Sequence, residues 1–260
     1  MPDDVWKGLT DDAESSVELF RLINGYQMAQ AIHVVASLGL ADQLRDGARS
    51  VEELARLAKA HPTALYRLLR ALAAAGIFHE DHDRRFSLTR LGDCLRSDSS
   101  TSMGAWAEFV GRPYVWQAWS HLLQSVKTGQ NVFNRLHGIR WQYRAEHPEE
   151  SAIFDRGMTA LSASAVETLV KAYNFARFRH VADIGGGQGR GIAGILFANA
   201  ALRGTLFDQP YVVEKARTPA KQGRCRRQMR YLRRKLPRIG TYLLRVVLHD
   251  WGDQEARFQS

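Results

Sequence analysis

The chain has 260 residues and is 45% hydrophobic, enough for one large or two ordinary domains with a real core. No apolar run approaches the roughly 18 residues that a membrane-spanning helix needs. The opening MPDDVWKGLT lacks the basic-then-apolar pattern of a secretory signal, so a cytoplasmic protein is the expectation. Cys94 and Cys225 stand far apart without metal-type spacing, which argues against both a disulfide scaffold and a zinc site. The net charge of +9 is local: ten of the 36 Lys/Arg lie between Arg217 and Arg238, a stretch without Asp or Glu, and the rest nearly balance 27 acids. A generally nucleic-acid-binding surface does not follow from it.

Ser16–Ala36 places apolar residues at helical spacing, interrupted by Gly25. SVEELARLAKAHPTALYRLLRALAAAGIF predicts two helices with a break at His61-Pro62. Ser50 and Glu53 form a capping-box pattern at the first, Pro62 suits the first turn of the second, and Gly76 ends it. HEDHDRRFSLT predicts a small hairpin over 79–89. Three helices and a hairpin are the order of a winged helix. Leu91–Ala145 reads as mainly helical. It carries Trp106, Phe109, Tyr114, Trp116 and Trp119, a set that admits a flat apolar ligand. Glu149–Tyr173 predicts one long amphipathic helix with Phe154, Met158, Leu161, Ala165 and Leu169 along one face. Strands at His180–Ile184 and Gly204–Phe207 then alternate with helices at Gly189–Asn199 and Val212–Arg217, and Thr241–Leu248 is an apolar strand. Alternation of this kind implies a parallel sheet with ligands at the carboxyl ends of its strands.

VADIGGGQGRGIAGIL (181–196) places five glycines within residues 185–191. That exceeds the needs of a tight turn, and side-chain-free backbone at a strand tip admits a ligand at close range. A dinucleotide fold wants G-x-G-x-x-G directly after the strand. Gly189-Arg-Gly191-Ile-Ala-Gly194 matches those letters but begins inside the helix. The string on the turn itself is Asp183-x-Gly185-x-Gly187-x-Gly189, and an acid opening it suits a cationic ligand better than a pyrophosphate. S-adenosylmethionine, with its ammonium and sulfonium, is such a ligand. Asp208, closing the next strand in GTLFDQP, is placed to accept ribose hydroxyls.

VADIGGGQG, LFDQPYVVEKA and LHDWGDQEA, in that order, resemble the O-methyltransferase family of plant phenolic and bacterial polyketide or carotenoid enzymes. LGLADQL, SVEELA, LYRLLRALAAAGIF and FSLTRLGDCLRSD resemble that family's winged-helix dimerisation domain. The resemblance implies a homodimer, a Rossmann-like class I α/β methyltransferase domain, S-adenosyl-L-methionine as donor, and metal-free methylation of a hydroxyl on a small aromatic or polyketide-like acceptor. By that pattern Asp183, Gly185, Gly187, Gly189 and Asp208 hold the donor, Phe154 and Met158 face the acceptor, and His249 of LHDW is the general base. Imidazole suits that role, because a phenolic hydroxyl is a weak nucleophile until its proton leaves. The expected division is a dimerisation domain over 1–100, a helical, substrate-lining region over 101–175 and a donor-binding domain over 176–260.

The sequence departs from the family in two places. Where relatives carry a further strand and an adenine-contacting acid, no acid occurs from Ala216 to Leu248. The crowded arginines 226, 227, 230, 233 and 234 speak against a buried strand. Cys225, Met229, Leu232 and Leu236 recur at helical spacing, so a basic amphipathic helix is predicted. Family members also continue past LHDW with more strands, whereas this sequence ends at ARFQS. The expectation is therefore an incomplete sheet of three strands, with Thr241–Leu248 as an open edge and impaired turnover. Two other readings remain: a dimerisation remnant, and a DNA-binding regulator using His61–Ala75 with Arg67 and Arg70. The second is disfavoured by that helix's alanine and leucine content. His79 and His82 have metal-compatible spacing but no evident third ligand, so no metal is expected.

Overall fold

The computed structural model describes residues 14–99, 101–216, 229–232, 241–245 and 247. It divides into two compact units, residues 1–132 and 133–260.

In the first unit, helix α1 (residues 14–23) runs into α2 (Gly25–Ser37), and α3 is Leu40–Gln43. Next come β1 (Arg49–Ser50), α4 (Val51–Ala58), α5 (Pro62–Ala74), β2 (Phe78–Glu80) and β3 (Arg85–Leu88). The capping box is real: Glu53 N–H donates to Ser50 Oγ at 3.3 Å, and Ser50 N–H donates to Glu53 Oε2 at 2.9 Å. Each bond satisfies a backbone or side-chain group that a bare helix start leaves open. Pro62 begins α5, as read from the sequence. At the hairpin turn, Asp81 Oδ1 accepts the N–H groups of Asp83 and Arg85, both at 2.9 Å. The strands pair antiparallel in the order β1-β3-β2. Leu40, Leu54, Leu69, Leu72, Phe78 and Phe86 are buried together, closing the helices over the sheet. Helix α5 buries Leu65, Leu69 and Leu72, while its Arg70 lies 3.7 Å from Glu80 and over the Tyr66 ring. Then come α6 (Arg90–Asp93), α7 (Gly104–Val110), α8 (Pro113–Ser120) and α9 (Leu122–Thr128), with α7 packed on α2.

Helix α10 (Val132–His137) spans the boundary. Beyond it, α11 (Arg140–Glu146) and the 25-residue α12 (Pro148–Ala172) lead to β4 (His180–Ile184), α13 (Arg190–Ala198), β5 (Arg203–Phe207) and α14 (Pro210–Ala216). Strands β6 (Met229–Leu232) and β7 (Tyr242–Leu244) complete a parallel sheet of order β6-β5-β4-β7. Two glycines set its layering. A Cβ at Gly204 would stand 2.8 Å from Leu196 and 2.9 Å from Ile192, so α13 rests directly on β5. A Cβ at Gly194 would stand 2.3 Å from Val166, so α12 lies as closely on α13.

Two expectations are corrected. Residues 229–232 form a strand beside β5 rather than part of a basic helix, and the described sheet has four strands rather than three. The reading from composition assumed an internal strand. An edge strand is held by backbone bonds on one side only, and charged residues are common there. The rest of the predicted basic helix lies outside the described residues. Strand β7, at the other edge, is shorter than predicted, with Arg245 beyond its end. No described helix is long and apolar enough to cross a membrane.

Leu69 is fully buried at the centre of the first unit. Leu69→Ala is expected to lower stability by about 2–5 kcal/mol, measurable as a shift in denaturant midpoint with the slope unchanged.

Candidate active site

The site is built where β4 and β5 end side by side in the second unit. Their register pairs Asp183 with Leu206 and Ile184 with Phe207, so the turn leaves β4 level with Asp208. Gly185, Gly187 and Gly189 have φ of 66°, 59° and 77°, a region that L side chains avoid. Gly185 N–H donates to the Phe207 carbonyl at 2.8 Å, and Gly187 N–H to Asp208 Oδ2 at 2.7 Å. Asp208 Oδ1 takes the N–H of Gln209 at 2.7 Å. The carboxylate of β5 thus holds the turn of β4 in place. Gly186 is required for space: a Cβ there would stand 2.6 Å from the Asp183 carboxylate and 2.5 Å from Leu206.

Asp183 is 3% exposed, and burial pushes its carboxyl up to about 7. The Arg245 guanidinium and the Ile192 N–H oppose that rise, and Asp208 adds to it. Asp208 is raised too, mainly by burial. Two adjacent carboxyls, Asp183 buried and Asp208 partly buried, make a site that gains by receiving a cation or hydrogen-bond donors.

Helix α12 is tied to the turn. Its Asp155 accepts from Gln188 Nε2 of the glycine turn at 3.3 Å and lies 3.6 Å from Lys215 Nζ of α14. Lys215 also donates to Ser151 Oγ at 3.3 Å. Burial raises the Asp155 carboxyl while Lys215 pulls it back. Phe154 lies under the Arg144 guanidinium, 3.3 Å from the ring centroid, and Arg144 itself is only 5% exposed. One turn on, the Met158 carbonyl accepts the Ser162 hydroxyl at 2.7 Å, and Ser162 Oγ accepts from Arg245 beyond β7. Tyr211 on α14 is pushed up to about 12 by burial.

The structure therefore brings together Asp183, Gly185, Gly187, Gly189 and Asp208. It places Phe154 and Met158 on the helix that carries the turn's partner Asp155. His249, Asp250 and Trp251 lie outside the described residues. Sequence reading missed Asp155, Gln188, Ser162, Lys215 and Arg245. Only Gln188, the one non-glycine between Gly185 and Gly189, carried a local signal. The predicted aromatic set is divided: Trp106, Phe109 and Tyr114 pack in series, Trp116 meets Tyr26, and Trp119 is 66% exposed. Among the described residues no group of three or more His, Cys, Asp or Glu is placed to hold a metal.

A parallel sheet with paired acids at its strand tips, a glycine turn between them and a helical N-terminal unit define a class I methyltransferase with a dimerisation domain. The chain belongs to the O-methyltransferase family, whose members take their methyl group from S-adenosylmethionine. The family profile described as an O-methyltransferase domain matches residues 119–258, and that of an O-methyltransferase dimerisation domain matches residues 20–98. Phenazine O-methyltransferase PhzM of Lysobacter antibioticus is 35% identical over 92% of this chain and 71% of its own length. The mitomycin biosynthesis 6-O-methyltransferase of Streptomyces lavendulae is 35% identical over 90% and 69%. Among solved structures, LaPhzM superposes with a TM-score of 0.86 at 34% identity, covering 93% of this chain and 74% of that one. The methyltransferase NcsB1 of neocarzinostatin biosynthesis, solved with S-adenosylmethionine and 2-hydroxy-5-methyl naphthoic acid, gives 0.73 at 30% identity over 88% and 73%.

Asp183 titrates near 7 in the folded chain against an ordinary value of 3.8. Folding favours its neutral form, so its stabilising contribution is full below the unfolded value and is lost as pH rises through about 7. Ligand-free thermal stability is expected to fall between about pH 5 and about pH 8 through this group, and Asp183→Asn to flatten that dependence in melts followed across the range.

Proposed function

We propose that this chain methylates a hydroxyl of a small aromatic or polyketide-like acceptor, with donor and acceptor meeting at the tips of β4 and β5. The carrying observation is the pair Asp183 and Asp208 flanking a turn on which Gly186 leaves no room for a side chain. In this reading Asp183 receives the donor's ammonium and Asp208 the ribose hydroxyls. Gly185, Gly187 and Gly189 let the backbone approach the donor. Bound S-adenosylmethionine supplies an electrophilic methyl group on a sulfonium.

His249 takes the proton of the acceptor hydroxyl as the oxygen–methyl bond forms and the sulfur–methyl bond breaks, leaving S-adenosylhomocysteine. Phe154 and Met158 line the acceptor. Their helix is tied to the donor turn through Asp155 and Gln188, which supports placing acceptor and donor against each other. The phenazine, mitomycin and naphthoic acid named for the relatives support a flat acceptor. Residues 1–100 act as the dimerisation domain, 101–175 as the acceptor-lining region and 176–260 as the donor domain. The match to a dimerisation domain supports a homodimer.

Calorimetry with S-adenosylhomocysteine tests the donor site. Asp183→Ala and Asp208→Ala are each expected to weaken binding by roughly 10- to 150-fold, as for loss of a charged hydrogen bond; binding that survives both changes would refute the assignment. His249→Ala is expected to leave that affinity near wild type while lowering methyl transfer to a hydroxynaphthoate probe by about 100-fold or more.

A further inference from the structure

Helix α1 exposes large apolar side chains around its circumference: Val17 is 60% exposed, Leu19 57%, Phe20 67%, Leu22 69% and Ile23 63%, with Tyr26 at 53% where α2 begins. A short helix with such residues on all sides is not stable in water alone and calls for cover. Phe20, Leu22, Ile23 and Tyr26 fall within the matched dimerisation domain, residues 20–98.

A second apolar stripe lies outside that domain. On α8 and α9, Trp119 is 66% exposed, Leu122 49%, Leu123 67% and Val126 75%. Leu122, Leu123 and Val126 are spaced to share one face of α9, and Trp119 lies near the end of α8, just before the two helices meet at His121. The stripes are joined within the first unit, because the Tyr26 and Trp116 rings meet edge to face at 6.4 Å. Side chains of this size and exposure present on the order of 100 Å² each. The α1–α2 set therefore offers roughly 600 Å², short of the ~800 Å² that a standard interface takes from each partner. With α8 and α9 the surface reaches about 1,000 Å², well above the largest patch of an ordinary monomer.

We propose that Trp119, Leu122, Leu123 and Val126 are covered by a second copy of this chain, as a continuation of the dimer face beyond the dimerisation domain. This rests on the homodimer reading above. It reassigns Trp116 and Trp119 from an acceptor-binding role to an interface role, and it makes the start of the region between the domains part of the dimer.

Sedimentation equilibrium of the full chain tests it with two double variants, each checked for wild-type far-UV circular dichroism. Leu123→Glu/Val126→Glu and Phe20→Glu/Ile23→Glu are both expected to raise the dimer dissociation constant by about 100-fold or more, as for central interface residues. If the first stays dimeric with wild-type affinity while the second dissociates, the extension is wrong and the homodimer reading stands. A wild-type chain that is monomeric at every concentration overturns both. Amide hydrogen exchange of the unaltered protein over a dilution series gives the same decision without substitution. Protection over residues 113–128 is expected to rise with the dimer fraction, and protection independent of concentration refutes the proposal.

Discussion

The second unit is organised around a single electrostatic demand: a carboxyl group, Asp183, carried near the end of a buried strand and kept from water. Strand β4 needs Val181 and Ala182 in the core, and that placement delivers Asp183 to the sheet's edge at 3% exposure. Burial there favours the neutral acid, and whatever brings a positive charge is favoured in return. Arg245 answers part of that demand from the tip of β7 while also bonding Ser162 on α12. An acid in this position is a poor companion for a phosphate and a good one for an ammonium. The same physics separates the turn from a dinucleotide-binding loop.

The glycines matter for two different reasons. Gly185, Gly187 and Gly189 supply backbone angles that reverse the chain within a few residues. Gly186 supplies absence, since any side chain would strike the Asp183 carboxylate or Leu206. Gly194 and Gly204 repeat this second use in the layers behind the site, drawing α12, α13 and β5 together. The long helix is thereby held close enough for Asp155 to grip Gln188 and Lys215. The glycine turn and the helix carrying Phe154 and Met158 thus behave as one framework.

The basic segment shows where composition misleads. Arginine density between Arg217 and Arg238 argued for a solvated amphipathic helix, yet residues 229–232 pair with β5 as an edge strand. Among the described strands this segment pairs on one side only, and charged side chains are common on edge strands. Helical spacing of Cys225, Met229, Leu232 and Leu236 was a pattern of four residues in a short window, too few to outweigh a neighbouring strand with free hydrogen-bonding groups.

The alternation of strands and helices from His180 to Ala216, the capping of α4 by Ser50, the start of α5 at Pro62, the hairpin and the strand tips at Asp183 and Asp208 were legible in the amino-acid string. Each is a local matter, decided within a few residues by hydrogen-bonding groups and backbone sterics. So was membership of the methyltransferase family, because three short motifs and their order carry it. The ties between Asp155, Gln188 and Lys215, the approach of Arg245 to Ser162 and Asp183, and the paired strand at 229–232 came only with the folded chain. Those contacts join residues 25 to 83 positions apart. No local spacing encodes them, since they exist only once the sheet and α12 have packed against each other.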